Sequence, residues 1–196
     1  TLSDGTIYEP LKSFKKLEKK LAREQRKLSR KVKRSSNWKK QKQKIACIHK
    51  RIADTRNDYL HKTSTAISKN HALVVLEDLK VVNMSASAKG TVNNPGRNVR
   101  AKSGLNKAIL DQGWSGFRRM LEYKMIWAGG RIIVVPPQYT SQECPLCHNI
   151  SPDNRKTQET FKCISCSYTN NADLVAAINI LAAGLAVSAC GEAVHQ

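Results

Sequence analysis

Cys144-Pro145-Leu146-Cys147 and Cys163-Ile164-Ser165-Cys166 form two C-x2-C pairs with fifteen residues between them. Each pair suits a tight knuckle, and the loop between them can fold back to bring four sulfurs to one tetrahedral centre. The spacing therefore predicts a four-thiolate zinc site. Two blander readings compete. Four cysteines also suffice for two disulfides, and Cys144 to His148 has the C-x-x-C-H form of a haem attachment site. Cys47 and Cys190 are isolated, nothing reads as a signal peptide, and a second knuckle has no part in haem attachment, so zinc is the better reading.

Outward from this stretch, charge is the next signal. The 196 residues can hold one domain plus a small appendage, and 40% hydrophobic content is enough for a core. The formal net charge is +19, and residues 12–62 alone hold 20 bases against 4 acids. A cation excess confined to one segment predicts a polyanionic partner there, with nucleic acid the usual one. A membrane surface fits less well, because the segment lacks the Trp/Phe/Leu-rich face of an interfacial helix. Leu174 to Gly191 is uncharged over 18 residues, but it is Ala-rich and interrupted by Asn179, Gly184 and Ser188. It reads as a buried helix with a loose end rather than a membrane span. The chain opens on Thr1 without a Met, as a piece of a longer protein is expected to do.

Taken in order, Thr1-Leu2-Ser3 and Thr6-Ile7-Tyr8 flank Asp4-Gly5 and predict a β-hairpin. From Leu11 the period turns helical. Phe14, Leu17, Leu21, Leu28 and Val32 follow 3,4 spacing with Glu24 or Gln25 at the missing turn, and Ser35-Ser36-Asn37 supplies a break and a cap. Ile45, Ile48, Ile52, Thr55, Tyr59 and Ala66 repeat the spacing, so two helices zip into an antiparallel hairpin with cationic outer faces. Such a charge run is a solvated surface when its signs are mixed; so few acids favour phosphate contact instead. Ala72 to Leu76 is an apolar run expected of a strand covered on both faces, ending in Glu77-Asp78. Residues 83–106 lack a period and predict a long loop, either a functional lid or disordered. Ser103 or Asn106 is expected to cap a helix to about Ala128, with Ile109, Leu110, Trp114, Phe117, Met120, Leu121 and Met125 on its buried side. Gly129-Gly130 stops it, and Arg131 to Val135 gives a second buried strand, a βαβ-like unit with a parallel or mixed sheet.

Glu77 at a strand end and Asp173 at a helix start are the candidate catalytic carboxylates. Hard divalent cations such as Mg2+ bind carboxylate oxygens, and paired metals clamp the attacking and leaving oxygens of a phosphodiester. Each residue also has an ordinary reading: Glu77 as a solvated strand end, and Asp173 as the N-cap of the helix Leu174 to Leu185.

Several motifs then converge. Leu76-Glu77-Asp78-Leu79-Lys80-Val81 with Asn83-Met84, Gly113-Trp114-x-x-Phe117, Leu121-x-Tyr123-Lys124, Thr140-Ser141-Gln142-x-Cys144-x-x-Cys147 and Asp173-x-x-Ala176-Ala177-x-Asn179-Ile180-Leu181 resemble, in that order, the carboxyl-terminal half of TnpB (OrfB). These are RNA-guided nucleases encoded by small bacterial transposons and related to type V CRISPR effectors. Gln25-Arg26-x-Leu28-Ser29-Arg30 and Arg56-x-Asp58-Tyr59-x-His61-Lys62 extend the resemblance into the helical hairpin. It implies an α/β fold: a partial RNase H-like (RuvC) mixed sheet with a long basic helical hairpin and an inserted zinc ribbon. The implied division is a RuvC-like core at 1–138 with the hairpin at 11–70, a zinc ribbon at 139–170, and a final helix and tail at 171–196. It further implies structural Zn2+ on Cys144, Cys147, Cys163 and Cys166, and catalytic Mg2+ on three acids, of which Glu77 is the second and Asp173 the third. DNA and guide RNA are the implied partners, with neither a membrane nor a small-molecule substrate, in a cytoplasmic, nucleoid-associated setting.

The chain also departs from that pattern. The first acid of the family lies on a strand that would precede Thr1, as do the modules that bind guide RNA and recognise target duplex. Family members carry Gly after each C-x-x-C, where this chain has His148 and Ser167, and Asp-Arg-Asp-x-Asn where this chain has Asn171-Ala172-Asp173-Leu174-Val175. Two functions are therefore expected to compete: the nuclease portion of an RNA-guided endonuclease, or a truncated, catalytically silent zinc-ribbon protein that binds DNA or RNA.

Overall fold

The computed structural model describes residues 1–191, which form two compact units. A helical unit comprises Pro10–Ala66 and Lys80–Leu121; a sheet unit comprises Thr1–Glu9, Ile67–Leu79 and the chain from Glu122 onward. Helices α2 (Ser36–Asn70) and α5 (Trp114–Trp127) contribute residues to both.

In the helical unit, α1 (Ser13–Ser29) and α2 zip together as their 3,4 spacing predicts. Leu21, Ile48 and Ile52 are buried, with Phe14, Leu17 and Ile45 packed around them. The polar residue in the seam is Glu24. Gln41 Nε2 donates to its Oε2 at 2.8 Å and to its carbonyl at 3.0 Å, so both buried polar groups are satisfied. Val32, expected in the seam, lies beyond α1 in the chain reversal and is 79% exposed. The Ser35 hydroxyl caps α2 by accepting the Trp38 N–H at 3.2 Å. Helix α1 is capped from a distance: Asp111 accepts the Phe14 N–H and the Ser13 hydroxyl, the latter at 2.6 Å.

The single helix expected from 103 or 106 to about 128 is two. Helix α4 (Val99–Gln112) ends at Gly113, whose φ of 70° is left-handed, and α5 begins at Trp114. A Cβ on Gly113 would lie 2.9 Å from the Leu60 side chain, so packing as well as conformation excludes larger residues there. Asn106 is not a cap but lies within α4, where Nδ2 donates to the carbonyls of Ser85 and Ala86 at 2.8 and 3.1 Å. Leu110 and Trp114, expected on the buried side, are 54% and 42% exposed. The expected loop at 83–106 is shortened by α3 (Val81–Met84) and α4, and a bridge between Gly90 and Pro95 closes a turn within it.

In the sheet unit, β1 (Leu73–Glu77) pairs in parallel with β2 (Arg131–Val135), with Val75 opposite Ile133 and Glu77 opposite Val135. Helix α6 (Ala172–Ala189) packs on both strands. It approaches so closely at Gly184 that a Cβ there would stand 2.5 Å from the Val75 methyls. Side chains two apart share a face, so α6 covers the face of Val75, Ile133, Glu77 and Val135. Neither strand is covered on both faces as its apolar run suggests: Val134 is 36% exposed, and β1 is half-buried throughout. Helix α6 is buried at Ala172, Val175, Asn179 and Gly184. Its length and composition would allow it to cross a membrane; here it packs on β1 and β2. Thr1 to Tyr8 forms the expected turn without strands. Gly5 has φ 89°, and Leu2 N–H donates to Thr6 carbonyl at 2.8 Å, but the pairing goes no further than that turn.

Candidate functional site

The two C-x2-C segments fold into matching knuckles. In each, the N–H of the first cysteine donates to the carbonyl five residues on, Cys144 to Asn149 at 3.0 Å and Cys163 to Tyr168 at 2.8 Å. The residue after the second cysteine donates back to the first, His148 to Cys144 at 2.9 Å and Ser167 to Cys163 at 3.1 Å. Closing this turn requires left-handed backbone at that residue, and His148 and Ser167 have φ of 56° and 61°. A short hairpin of β3 (Thr160–Lys162) and β4 (Thr169–Asn171) carries the second knuckle.

The sulfurs of Cys144, Cys147, Cys163 and Cys166 all lie within 4.8 Å of one another, with Cys144 to Cys166 at 3.6 Å and Cys147 to Cys163 at 3.5 Å. Four thiolates about 2.3 Å from one Zn2+ stand about 3.8 Å apart around a tetrahedron, so these residues fit that metal in number, chemistry and spacing. The N–H groups of Cys166 and Ser165 point at Cys163 Sγ and pull its thiol down to about 6. The Tyr168 N–H favours a Cys166 thiolate, but desolvation and the crowding of the other three thiols push that group up to about 12. Four sulfurs so close cannot all ionise without a cation among them. Cys47 and Cys190 are exposed and free.

Below the knuckles lies a small core of Cys144, Phe161, Cys163, Ala172 and Val175, with Tyr168 against it. The cysteine module and the first turn of α6 thus share one interior. Asn154, 1% exposed, joins the knuckles. Its Nδ2 donates to the carbonyls of Gln142 and Asn149 at 2.9 and 3.0 Å, while its Oδ1 accepts the Ile164 N–H at 3.0 Å.

The carboxylates lie beside this module. Glu77, on the α6 face of β1, has its Oε1 held by the Thr140 hydroxyl at 2.6 Å. Asn179 on α6 holds the same segment by donating to the carbonyls of Thr140 and Glu143 at 2.9 and 2.8 Å. Asp173 lies in the first turn of α6, six residues or about 9 Å along the axis from Asn179. It is not the N-cap: Asn171 fills that role, accepting the N–H groups of Asp173 and Leu174. Asp173 instead accepts from Arg155 at 2.9 Å, with its side chain 62% exposed. The structure brings the four cysteines together. Glu77 and Asp173 each have a partner of their own, and no third acid, His or Cys joins them in a metal-sized cluster among the described residues. Asn154 and Arg155 carried no signal in the sequence; Thr140 and Asn179 stood within the motifs that carry the resemblance, but nothing there gave them these partners.

Known proteins match this chain along its length. Residues 1–88 match the family OrfB_IS605, described as "Probable transposase", and residues 114–180 match the Cas12f1-like TNB domain. "Putative RNA-guided DNA endonuclease InsQ" of Escherichia coli K12 is 63% identical over 196 residues, covering all of this chain and 49% of that protein. CRISPR-associated endodeoxyribonuclease Cas12f1 of Sulfoacidibacillus thermotolerans is 45% identical over 71 residues, 35% of this chain and 17% of that one. A cryo-EM structure of a Cas12f1-sgRNA-target DNA complex superimposes with a TM-score of 0.56 at 20% identity, over 86% of this chain and 41% of that one, a likeness of fold. The chain spans about half the length of the InsQ relative it matches along its whole extent. Over its amino-terminal and its cysteine-bearing parts respectively, the chain is similar to the OrfB_IS605 family and to the Cas12f1-like TNB domain.

Proposed function

We propose that this chain is the RuvC nuclease portion of an RNA-guided DNA endonuclease. The observation that carries the reading is the 63% identity to the InsQ relative over the full chain. In this reading residues 1–138 form the RuvC-like core of RNase H-like fold, 139–170 the zinc ribbon and 171–196 the final helix and tail. Zn2+ is structural and held by Cys144, Cys147, Cys163 and Cys166. Glu77 and Asp173 are Mg2+ ligands. Their oxygen donors suit a hard cation, but two carboxylates are one fewer than the family uses, and the family's first acid is the one this reading takes from a segment outside this sequence. Bound Mg2+ supplies the positive charge that stabilises the oxygens of the phosphodiester under attack.

The chain's own residues prepare that site. Thr140 fixes one oxygen of Glu77 and leaves the other free for a ligand bond. Arg155 neutralises Asp173 and gives way when a cation takes its place. The cationic α1–α2 hairpin holds nucleic-acid backbone, DNA and guide RNA being the partners, and the setting is the cytoplasm.

The test joins the family's upstream Asp-containing strand and RNA-binding modules to this chain, adds guide RNA and matched DNA, and measures cleavage with Mg2+. Cutting is expected, with loss of at least a hundredfold in Glu77→Ala and in Asp173→Ala. No cutting, or cutting that persists in Asp173→Ala, removes the nuclease reading. The Arg155–Asp173 ion pair favours a second reading, a silent module that binds nucleic acid without cutting it; binding without hydrolysis in that same protein identifies it.

A further inference from the structure

The chain reversal between α1 and α2 lies outside the carboxylate and cysteine sites. Residues 27–44 hold nine Lys or Arg and no Asp or Glu. At the edge of this tract and outside it the helical unit answers part of its charge: Glu24 takes Arg23 and Lys27, Glu18 takes Lys107, and Asp58 takes Lys62. Among the described residues, none of the eight bases from Arg30 to Lys44 has a carboxylate partner. Helix α2 begins here with no acid in its first turn, so its positive dipole end is also unanswered. So many like charges repel one another, and a polyanion relieves that repulsion.

Two side chains in this tract do not suit a plain solvated surface. Val32 is 79% exposed between Lys31 and Lys33, and Trp38 stands half-buried with the Lys42 ammonium 5.4 Å from its ring centroid. Aromatic and apolar groups set among backbone-binding cations are what unpaired nucleotides require, because a base with an open face can stack on a ring. A continuous duplex exposes no such faces, and two apolar side chains are too few to anchor a helix in a lipid surface.

We infer that the end of the α1–α2 hairpin is a binding surface for unpaired nucleic-acid strand, with Lys31, Lys33, Arg34 and Lys39 on phosphates and Trp38 and Val32 against bases. This rests on the nucleic-acid reading proposed above and assigns it a place and a strand state. Fluorescence anisotropy of the full chain with a labelled single strand of about 20 nucleotides, and with a blunt duplex of the same sequence, tests it.

Trp38→Ala and Trp38→Leu, the second keeping apolar bulk without a ring, are expected to weaken single-strand binding about tenfold, with the duplex little changed and Trp38→Phe restoring most of the loss. Lys31→Gln with Lys33→Gln and Arg34→Gln is expected to weaken both ligands and to lower the slope of log affinity against log salt by about 2. Far-ultraviolet circular dichroism checks that helix content is kept. Single-strand binding unchanged in Trp38→Leu, equal losses on both ligands, or wild-type preference for phosphatidylserine vesicles over either overturns the inference and leaves the nuclease reading standing. Wild type that binds neither nucleic acid overturns both.

Discussion

His148 and Ser167 occupy left-handed backbone that a side chain other than Gly adopts at a cost of about 1 kcal/mol or more. The cost is tolerated because each knuckle closes two backbone hydrogen bonds around it. His148 recovers part of it through a 2.9 Å contact of Nδ1 with Glu143, but the histidine is 75% exposed, so that contact contributes little. Ser167 has no such partner through its side chain, which makes it the cleaner test. Ser167→Gly is expected to tighten zinc about fivefold, equivalent to about 1 kcal/mol, in a chelator competition at neutral pH. Unchanged zinc affinity would mean that the knuckle carries no strain at this position. These positions are legible in the sequence because ligand spacing and turn chemistry act over five residues. The roles of Asn154, Thr140 and Arg155 are not, even though Thr140 stands in a quoted motif, because their partners lie 10, 63 and 18 residues away and no local pattern announces a hydrogen bond that only the fold creates.

The α1–α2 seam shows what an element-scale pattern does and does not reveal. Apolar spacing is set by the helix itself, so Leu21, Ile48 and Ile52 could be placed in advance. Which polar residue fills the gap depends on the partner helix, and Gln41 selects Glu24. The break at Gly113 was hidden because apolar spacing continues across it and an isolated Gly is tolerated inside a helix. Leu60, packed against Gly113 from α2, is part of what excludes any other residue there. Glu24 makes the seam acid-sensitive. The Gln41 amide, then Lys27 and Arg23, hold its carboxyl at about 2, below its ordinary 4.5. A group depressed on folding stabilises the folded state above its unfolded value, and that contribution disappears as pH falls from about 4.5 towards 2. The midpoint of thermal unfolding of the α1–α2 helices is therefore expected to fall over that window. Glu24→Gln, which is neutral at every pH, should lose that part of the dependence. An identical acid profile in wild type and variant would place the sensitivity elsewhere.

At the scale of the molecule, the sequence concealed the two-unit division because the units interleave along the chain: residues 67–79 and those from 122 onward form one unit, and the segments at 10–66 and 80–121 form the other. The crossings at 66/67 and 121/122 carry no break, since α2 and α5 run through them as continuous helices, whereas those at 9/10 and 79/80 fall between elements. The two units are nevertheless held together by different physics. The helical unit depends on an apolar seam and a few charged contacts. The sheet unit has two short two-stranded sheets, and its cysteine module shares a core with α6 through Ala172 and Val175. A metal bound only by the folded form adds its binding free energy to folding, so the proposed zinc stabilises the sheet unit chiefly. Removing it with a chelator at neutral pH is expected to raise amide hydrogen exchange across residues 140–176 within minutes. The buried seam residues of α1 and α2 should exchange at their previous rates. Hydrogen-exchange mass spectrometry on the full chain reads both at once. Equal acceleration in the hairpin and the cysteine module would show that zinc supports the whole chain as one cooperative body, and the separation of the two stabilities would fail.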